Sequence, residues 1–255
     1  MLKMLKKISP LLIVFNSFCM AQTIDEQTQP NRLVGDIGIA AYVTNNNIKS
    51  NSTSTSVLPY AFAEYVRIAM RIDTLGIKTV KMGYGHLELS GRISLDSYKV
   101  QSSINHQSIS KNTPIPIGLG TFQETPIGAF QVNYFHDFNQ SRGSLQEIIY
   151  FGEIKLANQI TVYPQIGLER ISKNYSNYYL GINQTESNIT GYGVYSPNIL
   201  VNTITGLVIE VPLLDHIYLT GYAKRKWLGD KTAASPIMNR PFQDTFYIGT
   251  TYRFD

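Results

Sequence analysis

The side chains here that could do chemistry are four histidines, one cysteine and a scatter of charges. His86, His106, His136 and His216 fall in different parts of the chain, and no two stand at metal-ligand spacing. His136-Asp137 could be an acid–base pair, but neighbours on a strand face opposite sides, so the sequence reads as a solvated strand end. No serine, histidine and acid assemble into a nucleophilic set. Gly118-Leu119-Gly120 looks like the start of a phosphate loop. It lacks a following Lys-Ser/Thr and a helical period, so a tight turn entering a strand is expected. The expectation is a non-enzyme with no catalytic residue, cofactor or metal.

The charges carry more information. Glu88, Arg92, Asp96, Glu147, Glu153, Lys155, Glu169, Lys224 and Arg253 fall on the polar side of segments that alternate apolar and polar. The signs are mixed, and buried charges need partners. Glu88, Arg92, Glu147, Glu153, Glu169 and Arg253 are therefore candidates for a salt-bridge network filling a narrow lumen. A polar conduction path is the alternative.

The elements that would position these charges are strands. Ile160, Val162, Pro164, Ile166 and Leu168 alternate with Thr161, Tyr163, Gln165, Gly167 and Glu169. Leu87, Leu89, Gly91, Ile93 and Leu95 alternate with polar residues in the same way. Such runs of about ten residues, separated by polar loops, are the signature of an antiparallel transmembrane β-barrel. No stretch has the length of apolar residues that a transmembrane helix needs. The composition, rich in Tyr, Phe, Ile, Thr, Asn and Gly, favours strands and turns.

The first residues read as a signal peptide over 1–21. Lys3, Lys6 and Lys7 form a basic region, Ile8 to Phe18 an apolar one, and Cys19-Met20-Ala21 a cleavage site, which leaves a barrel over 22–255. The formal charge of +4 is mostly carried by those three leader lysines, so it does not argue for nucleic-acid binding. Cys19 is the only cysteine, so cleavage removes internal disulfides and thiolate metal sites.

Strands are expected at about 33–44, 57–66, 68–82, 86–98, 121–136, 144–156, 160–171, 198–211, 216–227 and 243–254. That makes about ten, with twelve as the alternative. Both termini of such barrels usually lie in the periplasm. Parity then puts the 45–56, 172–197 and 228–242 loops outside and the turns near Asn158 and Leu214-Asp215 in the periplasm. It also puts the long 99–120 connection in the periplasm, where it fits badly. Pro164 inside a strand is expected to mark a bulge. The Tyr-rich stretch of Tyr175, Tyr178, Tyr179, Tyr192 and Tyr195 reads as an aromatic girdle at the membrane boundary, with an interaction loop as the alternative.

The final strand ends in Gly249, Tyr252 and Phe254, a Gly-x-x-aromatic-x-aromatic pattern that resembles the insertion signal of outer-membrane barrels, although Asp255 follows the last aromatic. Three further stretches resemble the MipA/OmpV family in order and spacing. They are Gly118-Leu119-Gly120 before a central strand, Tyr178-Tyr179 with Gly181, and Gly229-Asp230 with Ser235-Pro236. The departures are the extra Leu180 in the second motif and a weak apolar pattern at 57–82. The resemblance implies a bacterial outer-membrane barrel among outer-membrane lipids. It also implies a scaffold role that links a murein transglycosylase to a peptidoglycan synthase. Small porins and surface adhesins are the other roles it implies.

Overall fold

The computed structural model describes residues 30–49, 53–92, 97–156 and 159–255. The leader, Asp96 and Asn158 lie outside them. Strands follow in the order β1 (Val34–Asn45), β2 (Thr53–Tyr65), β3 (Ile68–Arg71), β4 (Thr74–Met82), β5 (Gly85–Arg92), β6 (Tyr98–Gln101) and β7 (Ser108–Lys111). Then come β8 (Pro116–Thr125), β9 (Gly128–Asp137), β10 (Ser144–Phe151), β11 (Ile154–Lys155) and β12 (Thr161–Ile171). Helices α1 (Lys173–Leu180) and α2 (Gln184–Thr190) precede β13 (Leu200–Leu214) and β14 (Ile217–Trp227). Helix α3 (Asp230–Ala233) precedes β15 (Phe242–Phe254).

The sheet is antiparallel and closes on itself. β1 pairs with β15 from Gly35↔Phe254 to Asn45↔Asp244, and β10 pairs with β12. Twelve strands form the ring, β11 adds a short strip against β12, and β6–β7 form a separate hairpin. The count is twelve rather than ten because two segments read as single strands are each folded in half. The 68–82 segment is β3 and β4, turning at Ile72-Asp73. The 121–136 segment belongs to β8 and β9, turning at Pro126-Ile127. Ile72 turns with φ +58, an unusual conformation for a β-branched residue.

The two added strands change the topology. The two-residue turns Val66-Arg67, Gly83-Tyr84, Pro126-Ile127 and Asp215-His216 lie at the end that holds both termini. Residues 97–115, which include most of the 99–120 connection expected beside them, stand at the opposite end with the other long loops. Short turns on the periplasmic side and long loops outside are the usual arrangement, so the earlier misfit disappears. Pro164 makes no bulge against β13, where the register runs through Tyr163↔Val208, Pro164↔Leu207 and Gln165↔Gly206. Its carbonyl accepts from Gly152 N (2.9 Å), between the end of β10 and β11, so its missing N–H falls where that ladder is already interrupted.

Alternation sets the two faces. Ile39, Ile166 and Ile248 point outward and are 59%, 58% and 59% exposed. A continuous wall of such residues suits contact with hydrocarbon rather than water. No helix among the described residues is long and apolar enough to cross a membrane.

Gly249 faces the lumen against β1. A Cβ there would stand 2.5 Å from Ile39 O and 2.6 Å from Ala40 Cβ. Gly249→Val is therefore expected to cost about 2 kcal/mol through overpacking at the closing seam. A lower urea midpoint in micelles, with a weaker heat-modifiable gel band, would show it.

Candidate functional site

Among the described residues the alternation builds one polar interior, the lumen, so its contents decide what the barrel can do. It is filled in tiers. Near the turn end, Arg253 binds both Asp36 oxygens at 2.7 Å and Glu210 at 2.9 Å. Arg71, on the short β3, binds both Glu88 oxygens at 2.7 and 2.9 Å and reaches Glu64 at 3.3 Å, while Lys78 also pairs with Glu64.

A tyrosine cluster lies in the middle tier. Tyr247 is its centre, with ring centroids 5.1 Å from Tyr42, 5.6 Å from Tyr60 and 4.9 Å from Tyr222. Above it, Arg92 pairs with Glu147, which also accepts from Asn133 Nδ2 at 2.8 Å. Glu169 accepts from Asn202 Nδ2 at 2.8 Å and Lys226 Nζ at 2.9 Å. The buried carboxylates Glu88, Glu147 and Glu169 thus each have a cation and complete hydrogen bonds, which offsets their desolvation.

Of the candidate lumen residues, Glu88, Arg92, Glu147, Glu169 and Arg253 point inward, but into separate clusters rather than one network. Glu153 is a correction. It follows the end of β10, is exposed, and pairs with exposed Lys155 at 3.4 Å. Asp36, Glu64, Arg71, Lys78, Glu210 and Lys226 were not singled out from the sequence. Most sit in strands whose register depends on the missed hairpin or on the β1–β15 seam.

Gly118 and Gly120 are also corrected, since they lie within β8 and make no turn. Both face the lumen, where a Cβ on Gly118 would meet the β9 backbone at Tyr134 and one on Gly120 would meet Asn133 Oδ1. Their absence of side chain lets Phe135 and Asn133 occupy the tube. His136 packs edge-on against Phe138 at 4.5 Å, while Asp137 is buried and accepts from Ser141 N and Oγ at 2.7 Å each. The two neighbours do not meet. No group of three metal-binding side chains occurs among the described residues.

The outer mouth is corked. Lumen-facing Phe135, Leu145, Ile171 and Leu200 at the strand tops form one buried cluster with Val100 and Ile109 of the β6–β7 hairpin, Tyr175, Tyr179 and Leu180 of α1, and Ile48 and Ile237. Of the tyrosines expected in a membrane girdle, Tyr175 and Tyr179 are buried in this plug and Tyr178 and Tyr192 pack against it. Tyr179 Oη donates to Asn112 O at 2.9 Å, and Tyr178 Oη to Gln140 Oε1 at 3.0 Å.

Helix ends tie the loops together. Ser172 caps α1 and also accepts Ser144 N at 2.8 Å. Asn183 and Glu186 form a capping box on α2, and Glu186 holds buried Lys111 at 2.6 Å. Gly181 N closes α1 onto Asn177 O. Ser235 Oγ donates to Leu180 O at 2.7 Å, Gly229 N reaches Asn202 Oδ1 at 3.3 Å, Asp230 opens α3 and Pro236 follows Ser235. At the far end of the chain Tyr252 stacks on His216 at 5.6 Å and packs on Phe254 at 4.8 Å, both facing outward.

The ion pairs should be felt most when one partner is lost. Glu147→Gln leaves buried Arg92 with the half-exposed Asp73, 3.6 Å away, as its remaining counter-charge and is expected to cost about 3 kcal/mol. Arg92→Met with Glu147→Leu should recover most of that loss. A double-mutant cycle by urea unfolding in micelles checks both.

The profile of a family described as MltA-interacting protein MipA matches residues 37–254. The putative outer membrane protein YiaT of Escherichia coli K12 is 22% identical over 222 residues, covering 86% of this chain and 90% of that protein. The MltA-interacting protein of the same organism is 30% identical over 95 residues, 37% of this chain and 38% of that protein. Among solved structures, a loop-deletion mutant of Vibrio cholerae OmpT aligns over 87% of this chain and 99% of its own, with 10% identity and TM-score 0.35. The β domain of the Bordetella autotransporter BrkA aligns over 88% and 100%, also with 10% identity, at TM-score 0.36. From the family profile's match over residues 37–254, the closed twelve-stranded wall and its apolar outer face, the chain is an outer-membrane β-barrel that belongs to the MltA-interacting protein (MipA) family.

Proposed function

We propose that this protein is a non-conducting barrel that acts by binding, as a membrane-anchored scaffold for peptidoglycan-remodelling enzymes. The observation that carries this reading is the filled bore. Ion-pair tiers and a tyrosine cluster reach into the tube, and a packed loop plug closes its outer mouth. What is left to work with is the protein's outer surface. The name of the relative that interacts with MltA supports a murein transglycosylase as partner, and a peptidoglycan synthase is the second partner of the proposal.

With the β6–β7 connection at the outer end, the periplasmic contact would be made by the short turns. Tyr84, Ile127 and Leu214 stand there 66%, 73% and 66% exposed. A second reading, a surface receptor or adhesin, is supported by the amount of ordered chain in the outer plug.

Two measurements test the proposal. In planar bilayers the protein should give no discrete openings; openings whose size changes on Glu88 or Arg92 substitution would establish a pore instead. From detergent extracts it should enrich a murein transglycosylase over an unrelated barrel, and Tyr84→Glu with Ile127→Glu should lower that capture. Enrichment no better than the unrelated barrel would count against the scaffold.

A further inference from the structure

One stretch of the outer wall breaks the apolar rule. Along β12 the outward side chains near its upper end are Ile166, Leu168 and Arg170, and the strand ends one residue later at Ile171. A charge on the lipid face is costly at mid-membrane and tolerated near the boundary. Elsewhere on that face Arg225 is neutralised by Asp244, whose two oxygens bind it at 2.7 and 2.9 Å. Exposed Arg170 has no acid within ion-pair distance among the described residues. There it binds the neutral Gln146, whose Oε1 accepts at 3.1 Å.

The register places Arg170 in a row that runs Leu119, Tyr134, Gln146, Arg170 and Val201 across β8, β9, β10, β12 and β13. One row nearer the turn end lie Val132, Ile148 and Leu168. These outward side chains bound a shallow apolar hollow of about 660 Å³ on the outside of the barrel. Its five strands span four spacings, about 19 Å. Exposed Tyr134 is the residue type that marks the headgroup level of a membrane, so the row lies where headgroups meet chains.

More positive charge stands just above. Ser172 N donates to Ser144 O at 2.9 Å and Ser144 N to Ser172 Oγ at 2.8 Å, so the chain leaving β12 stays beside the chain entering β10. Exposed Arg142 and Lys173 flank that junction, where Asn174 Nδ2 donates to Arg142 O at 3.4 Å. Neither has an acid within ion-pair distance among the described residues. Helix α1 begins at Lys173 with no acid in its first turn, so its positive end adds to the same field. The acids of β10 and β12, Glu147 and Glu169, face the lumen and are held there by Arg92 and Lys226.

Three cations without counter-charge, above an apolar hollow at the membrane boundary, favour an anionic headgroup that carries chains. Arginine pairs with phosphate through two parallel hydrogen bonds. An acyl chain is about as wide as one strand spacing, so the hollow takes several side by side. We propose that this face binds a phosphorylated glycolipid with many acyl chains, of the lipid A class, from the outer leaflet. Its phosphate lies against Arg170 and Gln146, below Arg142 and Lys173, and its chains lie over Val132, Ile148 and Leu168. This site is independent of the scaffold reading, since it needs no protein partner.

Native mass spectrometry of the detergent-purified barrel with hexa-acylated, doubly phosphorylated lipid A tests this. One saturable adduct is expected. Arg170→Leu, or removal of both phosphates from the probe, should weaken it about tenfold. Arg142→Leu added to Arg170→Leu should weaken it further. Lys155→Met, at an exposed lysine near the turn end, should bind as the unsubstituted protein does. Phosphatidylglycerol, with one phosphate and two chains, should bind about tenfold more weakly than lipid A. The heat-modifiable band confirms that each variant is folded. Equal binding by Arg170→Leu, adducts that accumulate without saturating, or equal retention of phosphatidylglycerol would overturn the proposal.

Discussion

The structure depends on closing the backbone hydrogen bonds of a sheet that has no water on its outer side. In hydrocarbon an unpaired peptide group costs several kcal/mol, so a spanning sheet must meet itself. The β1–β15 seam does this over its whole length, from Gly35↔Phe254 to Asn45↔Asp244. Its tolerances explain the small residues along it. Gly38 and Gly249 face the lumen where a Cβ would strike the neighbouring strand. The space they leave is filled by Tyr42, Tyr60 and Tyr247. The aromatic positions of the terminal pattern, Tyr252 and Phe254, lie on the outward face of the same strand.

Closure creates a tube, and the tube creates the second constraint. Inward positions are cut off from bulk solvent, so charges placed there must be paired with each other. The pairs are local, each joining neighbouring or nearby strands, as Arg71 with Glu88 and Arg253 with Asp36. They also staple the register, because a one-residue slip would turn every partner outward. At the outer mouth polar pairing gives way to apolar packing, and the loops fold into a small core of their own. The same alternation therefore produces an oily exterior, an ionic interior and a plugged end.

Much of this was legible in the sequence. The outward stripe of β12 and the polarity of its inward face follow from plain alternation, and the same holds for β5 and β15. The strand count was not legible, for two different reasons. The turn at Ile72-Asp73 contains no Gly, Asn or Pro, and its left-handed isoleucine is held by the surrounding sheet. The turn at Pro126-Ile127 did carry a signal, a proline followed by Gly128 at φ +124, inside a segment that alternates well on both sides. The plug was unreadable for another reason. Tyr175 and Tyr179 have the composition of a membrane girdle, and burial against Leu145 and Ile171 arises only when four separate loops converge. The inward charges were found where alternation was clean, and missed where a partner lay across the seam or on the short hairpin.

The twelve-strand register makes one commitment that ten strands would reverse: the side of the membrane on which the β6–β7 connection stands. Cys19 is the chain's only cysteine and lies in the expected leader, so a single introduced thiol can report it. Asn105→Cys, in the β6–β7 turn, should react with a membrane-impermeant maleimide on intact cells, while Asp215→Cys should react only after the outer membrane is breached. Labelling of Asn105→Cys only after breaching would contradict the register and, with it, the closed barrel described here.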